Sequence, residues 1–471
     1  MSQPTMDAQS PGRAIQPIKL TRALTLGMAA AWLLLPRVEA GVTLTTLVSF
    51  NQTNGAFPSA GLIQAKDGDF YGTTASAGPG GYGTVFQITP SGAFTNLISF
   101  NGTNGAGPRA GLVQGTDGSF YGTTYDGGSN NVGTVFQLAA NGTLTTLVTL
   151  SFGDTGGYPK AGLMQGQDSN FYGTAAIGGT NSGGTAFQVM TNGTLTPLVS
   201  FSFGGNAANS PYAGLAQAKD GGLYGTTYQG GTNGYGAIFK LTTNGTFTAL
   251  YSFSGTNDGA NPYAGLVQGA DGNFYGTTFN GGADGYGTAF RLSTNGTLMT
   301  LVSFANTNGA HPQSGLVQGT DGNLYGTTVD GGTNNLGTVF QMSPNGALIS
   351  LYSFTGGNDG ASPWAGLIQG DDGNFYGTTH DGANGYGTVF RLSIAAPPPP
   401  SFLAVEGAGT TLTLTWSATV GQMYQMLYKT NLEQTVWNNL NNPVNATNPI
   451  MTTFDAIGPV PQRFYRILMM P

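Results

Sequence analysis

The sequence predicts an all-β protein, with a seven-bladed β-propeller closed by an N-terminal outer strand and a small C-terminal β-sandwich-like domain. Three observations lead to this fold class: a pattern of about fifty residues recurs seven times, the copies carry glycine-containing hairpin-turn signals, and many glycines and aromatics accompany few charges. Short strands joined by tight turns have this composition, whereas disordered chains carry more charge and fewer aromatic residues.

The repeat has a nearly constant length. Each copy follows the pattern P-x-A-G-L-x-Q, D-G-N-F-Y-G-T-T, G-Y-G-T-V-F and N-G-T-L-T-x-L-V-S-F, with substitutions. Its proline and its tyrosine before glycine recur every 50 to 52 residues. They are Pro58, Pro108, Pro159, Pro211, Pro262, Pro312 and Pro363, and Tyr71, Tyr121, Tyr172, Tyr224, Tyr275, Tyr325 and Tyr376. A period near fifty is typical of four-stranded propeller blades.

Each copy is predicted to form four strands, A to D. In the first copy these are residues 60–64, 70–74, 84–88 and 94–100. A two-residue Asp-Gly signal separates strands A and B, and a glycine-containing turn separates strands C and D, as expected for hairpins. The aspartates of the A–B turn are Asp67, Asp117, Asp168, Asp220, Asp271, Asp321 and Asp372. Seven copies in one turn position favour a turn role over catalysis.

The two ends of the repeat region complement each other. The last copy ends near Ile394, after its C strand, and residues 42–50 have the sequence of an unattached D strand. We therefore expect residues 43–50 to pair antiparallel with the C strand at residues 388–393. Such pairing closes the ring and removes an exposed sheet edge, which would otherwise promote aggregation.

The N-terminus has the pattern of an export signal. Lys19 and Arg22 precede an apolar run at residues 23–36, and small or short residues lead up to Ala40. This order predicts a signal peptide at residues 1–40, cleaved after Ala40. The alternative, a membrane anchor, would need about 20 apolar residues. We expect the mature protein to be extracellular or in the cell envelope, with no membrane span.

Composition restricts the possible partners. The formal net charge of −7 argues against nucleic acid, which requires a basic surface. The chain contains no cysteine, so disulfides and thiolate metal sites are excluded. We expect a monomer without a cofactor or a bound metal, and an extracellular glycan or surface protein as the partner.

The chain beyond the repeats changes character. Residues 395–400 form a proline-rich linker, and residues 401–471 contain alternating runs typical of a small antiparallel sandwich. This part resembles the fibronectin-type-III-like modules of secreted bacterial proteins. Trp416 and Trp437 are expected in its core. It could serve in sorting or attachment, or as a spacer.

The repeats also resemble a known family. The sequences A-G-L-V-Q-G-T-D-G-S-F-Y-G-T-T at residues 110–124 and G-Y-G-T-V-F-R-L at residues 385–392 resemble the GloVer tandem repeat. The resemblance covers residues 42–394 and implies membership of the choice-of-anchor tandem repeat GloVer-containing proteins. It implies export and a cell-surface setting, but no established reaction or catalytic residue. This chain lacks the C-terminal hydrophobic helix followed by basic residues of anchored members, so such an anchor is not expected.

Two positions that vary between copies indicate a binding face. Both belong to long loops, D–A and B–C, which emerge on one side of a propeller, where binding residues concentrate. The position after the proline holds Ser59, Arg109, Lys160, Tyr212, Tyr263, Gln313 and Trp364. The position after G-T-T holds Ala75, Tyr125, Ala176, Tyr228, Phe279, Val329 and His380.

Aromatic residues at these positions predict a ligand site. Flat rings beside Asn and Asp suit sugars, whose C–H faces pack on the rings. The predicted ligand-binding residues are Tyr212, Tyr228, Tyr263, Phe279, Trp364 and His380. The alternative is that these rings only pack between blades.

Catalysis is less favoured, and no catalytic residue is assigned. No glutamate occurs between Gly41 and Ile394, so a carboxylate pair would need aspartates alone. Loop candidates are Asp126, Asp154, Asp258, Asp284, Asp330, Asp359 and Asp381. His380 and Asp381 are adjacent, but neighbours in a strand point to opposite faces, so adjacency is no evidence of a pair. The alternative function is an exported propeller hydrolase or lyase acting on polysaccharide.

Overall fold

A computed structural model describes residues 41–203, 208–382, 384–395, 398–408, 410–419, 422–457 and 462–470. The expected signal peptide at residues 1–40 lies outside this part of the chain. The described residues are all-β apart from one 3-10 turn at Asn306–Asn308. None of them forms a helix long and apolar enough to cross a membrane.

The chain divides into a repeat unit, Val42–Ser393, and a second unit from Ile394 onward. The strands of the repeat unit are short, and most belong to the fifty-residue copies. They are β1 (Val42–Ser49), β2 (Ile63–Gln64), β3 (Phe70–Thr74), β4 (Thr84–Ile88), β5 (Phe94–Ser99), β6 (Val113–Gln114), β7 (Phe120–Thr124), β8 (Thr134–Leu138), β9 (Leu144–Thr149), β10 (Met164–Gln165), β11 (Phe171–Ala175), β12 (Ser182–Val189), β13 (Leu195–Ser202), β14 (Ala208–Asn209), β15 (Ala216–Gln217), β16 (Leu223–Thr227), β17 (Gln229–Gly230), β18 (Ala237–Leu241), β19 (Phe247–Ser252), β20 (Val267–Gln268), β21 (Phe274–Thr278), β22 (Thr288–Leu292), β23 (Leu298–Ser303), β24 (Val317–Gln318), β25 (Leu324–Thr328), β26 (Thr338–Met342), β27 (Leu348–Ser353), β28 (Ile368–Gln369), β29 (Phe375–Thr379) and β30 (Thr388–Ile394).

These strands form four-stranded sheets, most of which follow chain order. The sheets are β2-β3-β4-β5, β6-β7-β8-β9, β10-β11-β12-β13, β15-β16-β18-β19, β20-β21-β22-β23, β24-β25-β26-β27 and β1-β30-β29-β28. The last of these has β1 beside β30, so its edge strand comes from the start of the repeat unit. A separate ribbon pairs β14 with β17.

The innermost strand of each sheet is shorter than the sequence predicts. In the first copy it covers two residues, Ile63–Gln64, rather than residues 60–64. The reason is that the backbone before it contacts the neighbouring copy instead of its own sheet. The carbonyl of Ala60, for example, accepts a hydrogen bond from Thr378 in the seventh copy.

Glycines make this close approach possible. A Cβ atom added to the glycine of each A-G-L or S-G-L motif would lie 2.6–3.7 Å from the carbonyl oxygen of the equivalent glycine in the preceding copy. The set is Gly61, Gly111, Gly162, Gly214, Gly265, Gly315 and Gly366, and Gly61 faces Gly366. We call these residues the glycine ring. Where this distance is shortest, at Gly162, a larger residue would force the backbones of neighbouring copies apart.

Equivalent hydrogen bonds connect consecutive copies. The side chain of Gln114 accepts one from the backbone of Lys66, and Gln64 accepts one from Asp371 at 2.9 Å, between the seventh and first copies. Aromatic rings also pack between consecutive copies. Tyr121 of the second copy stacks on Phe171 of the third, with ring centroids 4.0 Å apart. Phe70 and Tyr376 also have centroids 4.0 Å apart.

The recurring aspartates have the contacts of turn residues. In the second copy, one carboxylate oxygen of Asp117 accepts the backbone N–H of Ser119, and the other accepts the hydroxyl of Tyr121 at 2.9 Å. Burial and the hydrogen bond to Asp117 raise the pKa of Tyr121 to about 12. The aspartate therefore connects the A–B turn to the tyrosine that packs on the next copy.

The second unit contains two sheets around one core. Its strands are β31 (Phe402–Ala408), β32 (Thr411–Ser417), β33 (Met423–Lys429), β34 (Asn438–Asn439), β35 (Val444–Asn445), β36 (Ile450–Ala456) and β37 (Phe464–Met469). Strands β31, β32 and β36 form one sheet, and β33 pairs with β34, β35 and β37. Trp416 is buried in the shared core, with Tyr424 against it. The expectation that Trp437 also belongs to this core was wrong. Its ring is half-buried and lies under the ammonium of Lys429.

Candidate functional site

The two variable loops of each copy lie side by side. A bridge joins Ala106 in the D–A loop to Asp126 in the B–C loop, and Ala310 to Asp330 in the same way. This bridge places the residue after the proline next to the residue after G-T-T. The pairing was not expected from sequence, because both segments are irregular loops with no strand pattern.

The residue before each proline has an unusual backbone conformation. Its φ is between 51° and 59° in every copy, and only one of the seven is glycine. They are Phe57, Gly107, Tyr158, Ser210, Asn261, His311 and Ser362. A non-glycine residue in this region costs free energy, so surrounding contacts must hold it. The N–H of Tyr158 donates to Val132, and that of His311 donates to Tyr286, both in the preceding copy.

This conformation allows the rings to form layered stacks. Tyr125 lies between the guanidinium of Arg109, 4.1 Å from its ring centroid, and the ring of Tyr158, 4.9 Å away. His380 lies between Trp364 at 3.7 Å and Phe57 at 4.9 Å. The outer members Arg109 and Tyr158 come from the second and third copies, and the outer members Trp364 and Phe57 come from the seventh and first copies.

Three tyrosines and a lysine pack together on the variable loops. The rings of Tyr212 and Tyr228 stack with centroids 4.8 Å apart, and Tyr263 packs edge-on against both. The ammonium of Lys160 lies 3.5 Å from the centroid of Tyr212 and 3.3 Å from the hydroxyl oxygen of Tyr263. We call Lys160, Tyr212, Tyr228 and Tyr263 the tyrosine cluster.

Burial changes the protonation of this cluster. It lowers the pKa of Lys160 to about 8, and the positive charge of Arg109 acts in the same direction. Burial also raises the pKa of Tyr263 to about 12, so this phenol stays neutral at physiological pH. The cluster is thus a half-buried aromatic surface whose one ammonium group, that of Lys160, has a lowered pKa.

Sequence comparison assigns the family. The Gloeobacter/Verrucomicrobia repeat matches residues 35–234, 108–269 and 210–437. The chain belongs to this GloVer repeat family. The three matched regions overlap, as expected for tandem GloVer repeats. No curated protein matches the chain in sequence.

Solved structures with a similar fold are propeller-like proteins of low sequence identity. The BP39L lectin of Burkholderia pseudomallei is 10% identical, with a TM-score of 0.48 over 76% of this chain and 97% of the lectin. The periplasmic gluconolactonase PpgL of Pseudomonas aeruginosa is 17% identical, with a TM-score of 0.39 over 72% and 99%. A protein of Bacteroides uniformis described as a putative 6-phosphogluconolactonase is 16% identical. Its TM-score is 0.45 over 80% of this chain and 95% of its own. Such values carry no activity over to the GloVer repeats.

The six predicted ligand-binding residues fall into two groups. Tyr212, Tyr228 and Tyr263 lie together, and Phe279 packs near Tyr263 with centroids 6.3 Å apart. Trp364 and His380 form the other group, and within the described chain no aromatic contact joins them to the first. Sequence reasoning missed Lys160 and Arg109 as site residues, although both occupy the variable position after the proline.

The histidines of the GloVer repeats both contact an aspartate. Nδ1 of His311 lies 3.1 Å from Asp330, and Nδ1 of His380 lies 3.2 Å from Asp381. Adjacency in sequence was no evidence for a His380–Asp381 pair, but the contact forms because β29 ends at Thr379 and the alternation of a strand no longer applies to these two residues. Burial lowers the pKa of His380, and both faces of its ring are covered.

Other potential sites in the GloVer repeats are poorer in reactive groups. Within the described residues, no three His, Asp or Glu side chains are grouped as metal ligands. A cavity of about 430 Å³ lies between the third and fourth sheets and is lined by residues such as Phe201 and Tyr251. Its described lining residues include no Asp, Glu, His, Lys or Arg side chain. We therefore place the candidate site at the tyrosine cluster.

Proposed function

We propose that this chain is an exported carbohydrate-binding module whose ligand lies on the tyrosine cluster. The observation that carries the proposal is the grouping of Tyr212, Tyr228 and Tyr263 from two neighbouring copies beside a lysine with no carboxylate partner among the described residues. Rings that are only half-buried leave surface for the C–H faces of a sugar, and polar groups beside them can bind hydroxyls.

We propose further that the seven sheets are the blades of a closed propeller and that β1 completes the last blade. Three features support this architecture. The sheet order places β1 beside β30, the glycine ring connects Gly61 to Gly366, and Gln64 accepts a hydrogen bond from Asp371. A closed ring holds the variable loops of all copies on a rigid scaffold, which suits binding.

The alternative, that the rings only pack between copies, fits the second group better than the first. Trp364 and Phe57 cover both faces of His380, so that histidine has no ring face left for a sugar. In the tyrosine cluster, by contrast, the contacts of Tyr263 with Tyr212 and Tyr228 are edge-on.

A hydrolase or lyase has less support. Burial raises the pKa of Asp126 and the charge of Arg109 opposes this, but no second carboxylate is among the described groups that shift its pKa. Two further candidates are already hydrogen-bonded: Asp258 and Asp359 each accept hydrogen bonds from a tyrosine of the preceding strand and from a serine or threonine of their own loop. A carboxylate pair for glycoside hydrolysis is therefore not assembled in the described chain.

We expect the protein purified from its native host to begin at Gly41. The basic, apolar and small-residue order before Ala40 is the substrate pattern of signal peptidase. Intact-mass spectrometry of the secreted and envelope fractions tests this expectation. Recovery of a chain that still carries residues 1–40, or only in the cytoplasm, would contradict export.

We expect Tyr263→Ala to abolish most glycan binding while the chain stays folded. A central aromatic in a binding site typically contributes on the order of 2 kcal/mol, or about thirtyfold in affinity. The ligand is first found on a glycan array with the full chain, and its dissociation constant is then measured by calorimetry. Product release from the bound glycan would instead support the enzyme alternative.

Tyr82→Ala is the matched control. Tyr82 is a tyrosine of the same loop face, half exposed and outside the tyrosine cluster, so its loss should leave affinity unchanged. If Tyr263→Ala lowers the melting temperature strongly and leaves affinity intact, the tyrosine cluster is only packing. If the array shows no bound glycan, the proposed function is wrong.

A further inference from the structure

Two basic side chains on the candidate face form no ion pair within the described chain, although the charge of Arg109 acts on the carboxyl of Asp126. Arg109 is exposed, and its guanidinium carbon lies over the ring of Tyr125 at 4.1 Å. Lys160 is half-buried and contacts only aromatic groups, Tyr212 and Tyr263. Neither is among the ion pairs of the described chain, which involve Lys240, His311, His380 and Arg463.

These two cations occupy the same position in consecutive copies, two residues before Gly111 and Gly162, whose backbones approach each other closely. The charge of Arg109 lowers the pKa of Lys160 and of His380, and it opposes the burial that raises the pKa of Tyr263. The affected residues come from the third, seventh and fifth copies, so the electrostatic influence of Arg109 extends beyond its own copy. In a chain with a net charge of −7, Lys160 is thus a cation beside aromatic rings that no carboxylate of the described chain neutralises by an ion pair.

We propose that Arg109 and Lys160 form an anion subsite that selects acidic sugars, binding a carboxylate or sulfate while the sugar ring lies on the tyrosine cluster. This inference rests on the proposed function and names its ligand class. Arginine can bind either group through two parallel hydrogen bonds, and lysine acts as a compact point charge.

The burial of Lys160 explains why an anion should bind there. Its ammonium has lost part of its hydration and receives only ring faces and one hydroxyl in return. An anion in the subsite compensates both this loss and the repulsion from Arg109. The hydroxyl oxygen of Tyr263 accepts a hydrogen bond from the same ammonium. The anion and the sugar ring would therefore contact one continuous surface.

The test compares matched acidic and neutral sugars on charge variants of the full chain. The probes are oligosaccharides of a uronic acid, sulfated oligosaccharides, and their neutral parent sugars. The variant is Arg109→Gln with Lys160→Met, because methionine retains the apolar stem that packs on Tyr212. The control is Lys66→Gln with Lys219→Gln, which removes two exposed charges from A–B turns.

We expect the wild type to prefer one of the two acidic series over its neutral parent by about tenfold or more, and the site variant to lose this preference. Carboxylate and sulfate are distinguished by which series binds. The control should retain the preference, and added salt should reduce it. If neutral sugars bind as tightly as acidic ones and the site variant binds like wild type, the anion subsite is wrong, while the proposed function stands. Absence of all binding refutes both.

Binding of the acidic sugar should also weaken between pH 7 and pH 9. Lys160, with its pKa lowered to about 8, loses its proton over this interval, whereas Arg109 stays charged and Tyr263 stays neutral. Calorimetry should show this loss in the wild type but not in Lys160→Met. An identical pH profile in both proteins would contradict the role of Lys160.

Discussion

A chain that lacks residues 42–50 is expected to lose the cooperative unfolding of its repeat region and to aggregate. In the closed propeller that we propose, β1 is the outer strand of the last blade. Its removal leaves β30 with an unpaired edge, and unpaired edges recruit other chains. Thermal unfolding followed by circular dichroism, together with light scattering, measures both consequences.

The expected size of the effect follows from what this segment buries. Phe50 is fully buried against Phe86 and Phe94 of the first sheet, and Val48 is also buried. The N–H of Phe50 donates to Gly387 in the last copy. Truncating a buried phenylalanine alone typically costs about 3–5 kcal/mol, which is a large part of the 5–15 kcal/mol that stabilises a domain.

Two control experiments distinguish the loss of the closing strand from the general effect of shortening the chain. Deleting residues 401–471 removes a separate compact unit, so the repeat unit should unfold as before. Phe304 is the equivalent of Phe50 between β23 and the next sheet, and it is equally buried. Phe50→Ala and Phe304→Ala should therefore lower the free energy of unfolding by similar amounts. A negligible effect of Phe50→Ala alone would show that residues 42–50 do not complete a blade.

Repetition explains how much of the fold can be predicted from sequence. Seven copies reveal which positions are invariant, so strands such as β3 and β4 match their predicted bounds. The A strands were predicted too long because the carbonyl of Ala60 bonds to Thr378, more than 300 residues away. A contact between copies leaves no mark in the local alternation of apolar and polar residues from which strands are predicted.

The candidate site could be predicted only in outline. The variable position after the proline indicated Tyr212 and Tyr263 as site residues because they are aromatic. Lys160 occupies the same position, but its side chain is not aromatic and gave no such signal. Tyr125 lies between Arg109 and Tyr158 because Tyr158, the residue before Pro159, has a positive φ. A positive φ is not expected from sequence for a tyrosine. Loop conformation therefore decided both the stacks and the contact between His380 and Asp381.

Gly162→Ala is expected to lower the free energy of unfolding by about 1–3 kcal/mol, the usual cost of overpacking. The added Cβ would lie 2.6 Å from the carbonyl oxygen of Gly111, and that atom belongs to backbone, which cannot rotate away. In a closed ring the displaced copy meets its next neighbour, so the strain cannot relax at a free end. Urea unfolding measures the change.

Gly315→Ala provides the matched control at the same position of the glycine ring. There the added Cβ would lie 3.7 Å from the carbonyl oxygen of Gly265, which is ordinary van der Waals contact. This substitution should be neutral or stabilise the protein by up to about 1 kcal/mol, because alanine restricts the unfolded chain more than glycine does. Equal losses in the two variants would mean that close approach of the copies is not why glycine occupies the ring. A loss in Gly162→Ala alone would show that the ring radius is determined by backbone contact, and that the loops above it owe their spacing to these glycines.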